Sequence, residues 1–321
     1  MDRARILRPT LSVTHSATHS ATHKQAGFGL VVIVALVAIL AMAVFAKWAM
    51  SDAQRRLSKT TAIGKTLSKV DLALLNYVIQ HRRLPCPADG RIASGAANVG
   101  LALASCASQA HGVLPWVTLG LHESDARDPW NGRLTYRVDP GLTTLAPRLM
   151  DMSLCDVSGT GSTVLGTGEC RTPTPTCVAN PTSCTAPATF LAGKGLDVWD
   201  GLGGAGGWAT RVNNRVLGTG AAYVVISHGE TGAGAYNSGG VLQPGTIGPI
   251  ALLPLPGTQR AGGNEMPNLA DIALTLPATM ATTYRNAAFS SSSNLTHFDD
   301  YLSHPSISAV LQKASLQERV H

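Results

Sequence analysis

The most pronounced hydrophobic pattern in the chain is one uninterrupted apolar run near the N-terminus. No charged residue occurs from Phe28 to Ala46 (FGLVVIVALVAILAMAVFA), and Ala26 and Gly27 extend the run on its N-terminal side. About 20 such residues cross the hydrocarbon core of a bilayer as a helix, in which every backbone polar group bonds internally. The pattern therefore predicts a membrane-spanning helix.

Beyond this run the apolar positions follow a helical periodicity. They recur every three or four residues, with Thr60 filling one gap, at Leu57, Ile63, Leu67, Val70, Leu74 and Val78. The opposite face carries Arg56, Lys59, Lys65, Lys69 and Asp71. The helix is predicted to end before Leu84-Pro85, because a residue that precedes proline disfavours helical backbone angles. One helix from about Phe28 to about His81, apolar first and amphipathic afterwards, fits the pattern.

A break in this helix is the alternative. Ser51-Asp52 would suit the start of a second helix, because a serine side chain can bond the free backbone N–H groups there. Both arrangements place the apolar face of residues 57–78 against C-terminal sequence.

The rest of the chain predicts short strands joined by turns. Leu134, Tyr136 and Val138 alternate as in a strand, and residues 208–212 and 221–226 are also strand-like. With 33 glycines, 18 prolines and only 14% charged residues, the chain is too apolar for disorder and too rich in turns for a helical bundle. We therefore predict an α+β fold, in which the long helix packs on an antiparallel sheet from about residue 112 onward, with Gly/Pro-rich, disulfide-bearing loops.

The net charge of +6 is not distributed as in a nucleic-acid-binding protein. Half of it lies in residues 1–27, where Arg3, Arg5, Arg8 and Lys24 oppose Asp2. The remainder is spread along the chain without a basic stripe, so we predict no nucleic-acid binding through the main body.

Six cysteines follow the apolar run, at Cys86, Cys106, Cys155, Cys170, Cys177 and Cys184. No CxxC pair occurs, and no histidine has the spacing of a zinc finger, so disulfides in an oxidising compartment are favoured over buried free thiols. We expect Cys86 and Cys106 to close one loop, although other pairings are open. The other four lie in a Gly/Thr/Pro-rich insertion, residues 153–189, which is either a variable contact surface or a tolerated loop.

No motif in the chain predicts an active site. Residues 201–206 match GxGxxG, but a strand-like segment follows them where a dinucleotide site needs a helix. Ser227-His228 lacks the first glycine of a nucleophile elbow. Glu265, Asp271, Asp299 and Asp300 are candidates for a cation site by charge alone, without EF-hand spacing. We predict no catalytic, cofactor-binding or metal-binding residue, and no enzyme.

Four stretches resemble type IV pilin-like precursors, the family of pilins and pseudopilins. The junction at residues 24–30 (KQAGFGL) resembles the prepilin-peptidase site, with a basic leader, a glycine and a phenylalanine that opens the apolar run. Residues 83–87 (RLPCP) are similar to the helix exit of these proteins. Residues 128–132 (DPWNG) with Tyr136, and residues 227–236, resemble turns and strands of pseudopilin heads.

The resemblance implies cleavage between Gly27 and Phe28 and methylation of the new amine. It divides the chain into a leader (1–27), a transmembrane and amphipathic helix (28–83) and a periplasmic or extracellular head (84–321). The implied partners are other pilin subunits, prepilin peptidase, an inner-membrane assembly platform and membrane lipid. The filament-forming residues would include Phe28, Leu30, Val32 and Leu36.

One departure from the family pattern concerns Val32, the fifth mature position, where most major pilins carry glutamate. Absence of this carboxylate is typical of a tip subunit, so a minor pilin at the tip of a pilus or type II secretion pseudopilus is implied. The protein would be stored in the inner membrane with its head in the periplasm.

An exported periplasmic binding protein or enzyme is the alternative. Ala41-Met42-Ala43 fits the small-residue rule for signal-peptide cleavage, although the apolar run exceeds the usual length of about 7–15 residues. An uncleaved single-pass anchor that carries a head outside any filament has nearly the same sequence features.

Overall fold

The computed structural model describes residues 23–106, 111–145, 149–153, 190–201, 210–243, 246–247, 260–261, 265–268, 283–290 and 297–317. The helices are α1 (His23–His81) and α2 (Ile307–Lys313). The strands are β1 (His111–Val113), β2 (Thr135–Val138), β3 (Asp197–Asp200), β4 (Thr210–Asn213), β5 (Tyr223–Ser227), β6 (Thr246–Ile247), β7 (Arg260–Ala261), β8 (Thr283–Asn286) and β9 (Tyr301–Ser303). Three short 3₁₀ helices span Glu123–Ala126, Pro140–Thr143 and Met266–Asn268.

Helix α1 contains the predicted apolar run. Its segment Leu30–Trp48 is long and apolar enough to cross a membrane, and none of that segment is buried within the protein. Such a helix near the N-terminus is either a membrane span or a signal sequence. The backbone is helical through Ser51 and Asp52, so the alternative with two helices does not hold. The described chain divides by its internal contacts into residues 1–58 and residues 59–321.

The C-terminal end of α1 lies where the sequence predicts it. The helix ends at His81, and Arg82 follows with a left-handed backbone (φ 55°), four residues before the disulfide cysteine. Pro85 then prevents further helix. Cys86 and Cys106 form a disulfide with a Cα–Cα separation of 5.6 Å, so the expected pairing of these two is confirmed. Cys155, Cys170, Cys177 and Cys184 lie outside the described residues.

The main sheet has the strand order β1-β2-β5-β9, and all its neighbours are antiparallel. Its two central strands do not show the predicted alternation of buried and exposed positions, because every residue of β2 and β5 is buried. Tyr136 lies in the hydrophobic core, whereas Thr135 and Arg137 meet buried polar groups on the other face. Burial of both faces removes the pattern that a half-exposed strand would show.

A second sheet has the strand order β4-β3-β8. Strands β3 and β4 are antiparallel, but β3 and β8 are parallel, so the prediction of a purely antiparallel head is wrong in this sheet. The parallel pair is allowed because the long connection between the two strands gives the chain room to return in the same direction.

Within residues 59–321, the amphipathic part of α1 shares one hydrophobic core with the main sheet. Ile63, Val70, Leu74 and Val78 are completely buried. They belong to the same cluster as Tyr136 and Val225 of the sheet and as Leu311 of α2.

Asp71 is a polar contact between this helix and the strands. Its carboxylate accepts hydrogen bonds from the Tyr223 hydroxyl (3.0 Å) and from Ser303 Oγ (2.8 and 2.7 Å). Burial nevertheless raises the pKa of the Asp71 carboxyl group above its usual 3.8. The folded state therefore favours the protonated acid, and the stability that this proton contributes is lost as the pH rises through the raised pKa.

We predict from this balance that Asp71→Asn will be tolerated at pH 7. The amide oxygen can still accept from both hydroxyls, and the cost of burying a charge disappears. We expect the free energy of unfolding to stay unchanged or to rise by up to about 1 kcal/mol, whereas Asp71→Ala should lower it by about 1–3 kcal/mol through loss of both acceptors. Urea unfolding of the full-length protein in mild detergent measures both. A loss with Asp71→Asn as large as that with Asp71→Ala would contradict the prediction.

Candidate functional site

The residues predicted to direct processing and assembly lie at the N-terminal end of α1. Gly27 and Phe28 are part of the helical backbone. The side chains of Leu30, Val32 and Leu36 are exposed, as is the whole apolar segment around them. An exposed apolar surface of this length suits a membrane span or a signal sequence.

A second feature, which the sequence analysis did not assemble, is a cluster of buried polar side chains at the C-terminal end of β5. We call it the buried polar cluster. Its members are Asp128, Thr135, Arg137, Ser227, His228, Thr231, Glu265, Asn268, His297, Asp299 and Asp300. Strand β5 pairs with both β2 and β9, so the residues that follow β5 meet those that precede β9. The cluster therefore joins segments that are distant along the chain.

Asp128 occupies one side of the cluster and organises the 128–132 turn. Its Oδ1 accepts from the backbone N–H groups of Trp130 (3.0 Å) and Gly132 (2.8 Å), and its Oδ2 accepts from Ser227 Oγ (2.7 Å). Burial raises the pKa of this carboxyl group above its usual value. Within the turn, Asn131 is left-handed (φ 71°) but Gly132 is not, so these two residues do not form the type I′ hairpin turn that an Asn-Gly pair favours. The Asp128 carboxylate holds the turn instead.

Trp130, in the same turn, lies against two side chains. Its ring stacks on Tyr301 with the centroids 5.8 Å apart, and Lys59 Nζ of α1 lies 5.3 Å from its centroid. The half-buried indole therefore lies between a residue of β9 and a residue of the helix, with the lysine ammonium group near its face.

His228 lies at the centre of the cluster and is completely buried. Its Nε2 is 2.9 Å from Thr135 Oγ1, and its Nδ1 lies 3.5 Å from Asp300 Oδ1 without a hydrogen bond. Burial, with Arg137 nearby, lowers the pKa of His228 to about 4. Burial and the adjacent Asp299 raise the pKa of Asp300 well above its usual value. The imidazole is thus held in its neutral form near pH 7, and the equilibrium of the Asp300 carboxyl group is shifted toward its protonated form.

Three further members converge beside this pair. Histidine 297 faces two carboxylates, with Nε2 at 3.8 Å from Glu265 Oε1 and 3.7 Å from Asp299 Oδ2. The Glu265 carboxylate also accepts from the backbone N–H of Asp299 (2.7 Å). Thr231 donates to Asp299 from its backbone N–H (2.8 Å) and its hydroxyl (3.0 Å). One potential ligand atom from each of Glu265, His297 and Asp299 lies within 4.8 Å of the others.

Ser227 and His228 do not form a nucleophile–base pair. Ser227 donates to Asp128, His228 contacts Thr135, and both side chains are completely buried. A nucleophile needs a base within hydrogen-bond reach and a route for substrate, and the adjacent pair has neither. Of the GxGxxG stretch, only Gly201 lies among the described residues, and Asp271 is also outside them.

Sequence patterns gave one indication of the cluster, which is the density of polar residues in His297-Phe298-Asp299-Asp300. Charge alone grouped Glu265 with Asp299 and Asp300, but nothing in the sequence linked these residues to His228 or His297, because those contacts depend on strand pairing across tens of residues. Comparison with protein-family models, with curated protein sequences and with solved structures found no match.

Proposed function

We propose that this chain is a structural subunit of a filament, a minor type IV pilin or pseudopilin. The observation that carries the proposal is the Gly27–Phe28 junction, which opens an uncharged run within a helix that also supplies core residues to the head. Cleavage by signal peptidase after Ala43 would also leave the core residues between Ile63 and Val78 with the head. Support for a retained helix therefore comes from the junction itself and from an apolar run that exceeds the usual signal-peptide length of about 7–15 residues.

Cleavage after Gly27 on the cytoplasmic side leaves Phe28 as the first residue and keeps the apolar segment with the head. In the membrane, lipid covers the exposed side chains from Leu30 to Trp48. During assembly the same side chains exchange lipid for the helices of neighbouring subunits. Val31 and residues 34–37 present mostly small or β-branched side chains, which allow helices to approach closely.

Attachment of the head to the helix is the second requirement of a filament subunit. We infer that the amphipathic half of α1 lies across the main sheet as a structural strut. Four buried side chains, Ile63, Val70, Leu74 and Val78, support this arrangement, and Asp71 adds hydrogen bonds to Tyr223 and Ser303. A pull on the anchor during extraction would then be resisted by packed core residues.

A position at the filament tip is favoured by Val32. A carboxylate in the apolar segment is costly in lipid unless it is paired, and in the shaft its partner is the N-terminal amine of a neighbouring subunit. Val32 avoids the energetic cost of a carboxylate in lipid, and it also lacks the carboxylate that would pair with the amine of a neighbouring subunit. Other subunits can therefore still dock below this subunit in the filament. Its own helix does not depend on pairing a carboxylate with the N-terminal amine of a neighbour.

The mature N-terminus tests the proposal. The full-length protein is produced in membranes with and without an active prepilin peptidase, and its intact mass and N-terminal sequence are determined. We expect a chain that begins at Phe28 and carries one added methyl group, and only when the peptidase is present. Gly27→Leu should abolish this cleavage almost completely, whereas the control Gly29→Ala, at a glycine two residues downstream, should be cleaved normally.

Two results would overturn the proposal. A start at Val44 in the absence of the peptidase would identify an ordinary signal peptide. An intact chain, in cells whose peptidase processes another pilin precursor, would identify an uncleaved anchor.

A further inference from the structure

We propose that Glu265, His297 and Asp299 form a binding site for a divalent transition-metal ion, with Zn²⁺ as the best-matched ion. These three residues, which we call the Glu-His-Asp triad, lie in the head and take no part in the processing or assembly described above. The inference therefore stands or fails separately from the filament proposal.

The spacing of the triad suits an ion better than it suits hydrogen bonds. His297 Nε2 lies 3.8 Å from Glu265 Oε1 and 3.7 Å from Asp299 Oδ2, which is beyond the range of direct hydrogen bonds. Zinc binds histidine nitrogen and carboxylate oxygen at about 2.0–2.2 Å, which places the ligand atoms of a tetrahedral site roughly 3.3–3.6 Å apart. Shifts of a few tenths of an ångström would bring His297 Nε2 to that separation from each of the two carboxylate oxygens.

Burial of the triad adds an energetic argument. Glu265 is 1% exposed, Asp299 3% and His297 8%. Two carboxylates so close together are costly to bury without a compensating positive charge. Two histidines lie near these acids, with His297 Nε2 at 3.7 Å from Asp299 Oδ2 and His228 Nδ1 at 3.5 Å from Asp300 Oδ1. A divalent cation at the triad would neutralise Glu265 and Asp299 together.

An independent indication comes from His228 in the same buried polar cluster. Its Nδ1 is fully buried, makes no hydrogen bond and is directed at Asp300, the neighbour of Asp299 along the chain. Buried polar atoms in native proteins are nearly always satisfied by protein, water or an ion. The protein groups described here therefore do not complete the hydrogen bonding of this cluster by themselves.

The triad is also positioned as metal ligands usually are. Asp299 is fixed by two hydrogen bonds from Thr231, and the Asp299 backbone N–H donates to Glu265. Such outer contacts orient a ligand before the ion arrives. Gly229 lies close to the Asp299 backbone, where an added Cβ would stand 2.2 Å from the Asp299 carbonyl oxygen. The segments after β5 and before β9 are thus packed tightly around the site.

The chemistry of the ligands selects the class of ion. Calcium and magnesium prefer oxygen ligands alone, whereas imidazole favours zinc and its first-row neighbours. One imidazole and two carboxylates give three protein ligands, and a water molecule or another oxygen can complete a four-coordinate site. The ion would connect two segments of the head, around residues 265 and 297–299, and so stabilise their arrangement.

Zinc titration by calorimetry tests the proposal. The full-length protein in mild detergent is first dialysed against a chelator, and His15, His19 and His23 are replaced by alanine throughout, because their helical spacing could itself bind zinc. We expect one zinc ion per chain with a dissociation constant in the micromolar range or below. His297→Gln and Glu265→Gln should each weaken binding by about 100-fold or more, whereas His122→Gln, at an exposed histidine outside the cluster, should leave it unchanged.

X-ray absorption spectroscopy of the zinc-loaded protein keeps the test independent of whether the variants fold. We expect one imidazole nitrogen and otherwise oxygen ligands around the ion. Two or more imidazoles, sulfur ligands, or the absence of saturable binding at one ion per chain would overturn the proposal. Unchanged binding in folded His297→Gln protein would also overturn it.

Discussion

Replacement of Arg133 by methionine should destabilise the head by about 3–5 kcal/mol. The Arg133 side chain is fully buried and makes hydrogen bonds to three segments of the head, around residues 90–94, 123 and 238. Its guanidinium donates to the carbonyls of Gly90 (3.1 Å) and Ile92 (2.8 Å), to Ser94 Oγ (3.0 Å), to the carbonyl of Ser238 (3.3 Å) and to Glu123 Oε1 (3.0 Å). Methionine fills part of the volume but leaves these acceptors without a donor, and buried acceptors without partners are costly.

Arg91→Met provides the matched control. Arg91 also forms a carboxylate pair, with Asp89 at 2.7 Å, but its side chain is 58% exposed. Exposed pairs of this kind contribute at most about 1 kcal/mol, because water and salt screen the charges. Urea unfolding of both variants in the same detergent compares their losses in the free energy of unfolding. The difference between the two losses measures the effect of burying the arginine, because both substitutions remove the same charge. Equal losses in the free energy of unfolding would contradict the prediction, because they would mean that the buried hydrogen bonds of Arg133 contribute no more than an exposed ion pair.

Leu74→Ala should lower the free energy of unfolding by about 2.7–5 kcal/mol, whereas Leu72→Ala should change it by less than about 0.5 kcal/mol. The two leucines are two residues apart on the same helix, yet Leu74 is 0% exposed and Leu72 is 58% exposed. The substitution removes the same atoms and changes helix propensity by the same amount in both cases. The difference therefore measures the packing of α1 into the head core.

This pair of variants also tests the strut inferred for the filament subunit. A large loss with Leu74→Ala means that the helix and head unfold together, as a subunit pulled through its anchor requires. Similar small losses for both leucines would mean that residues 59–81 are dispensable for the head. The same urea experiment, followed by tryptophan fluorescence, distinguishes these outcomes, because Trp116 and Trp130 belong to or pack against that core.

Local sequence patterns were sufficient to predict those parts of the structure whose contacts repeat along a single helix or loop. The apolar run, the periodicity from Ile63 to Val78 and the stop before Pro85 each depend on neighbours within a few residues, and the structure places α1 accordingly. The Cys86–Cys106 disulfide closes a short loop and was also expected from sequence. Cleavage at Gly27–Phe28 stays a prediction.

The burial and pairing direction of the strands were harder to predict from the sequence. Residues 134–138 were predicted as a strand with one buried face, but β2 is buried on both faces because the buried polar cluster covers the second. The parallel pairing of β3 with β8 was also not predicted. The residues near β3 contain no information on the direction of a partner strand that lies more than 80 residues away in the sequence. Pairing direction is decided by connections and packing.

The sequence by itself determined the long helix, its apolar and amphipathic halves, and the mixed α and β composition of the head, because these follow from side-chain periodicity and turn residues. Only the tertiary structure decided which polar residues would be buried together. Asp128, His228, Glu265, His297 and Asp299 are unremarkable surface residue types when counted along the chain. They become a cluster because β5 pairs with β2 and β9, and this packing brings one potential ligand atom from each member of the Glu-His-Asp triad within 4.8 Å of the others. Burial then raises the pKa of Asp128 and lowers that of His228.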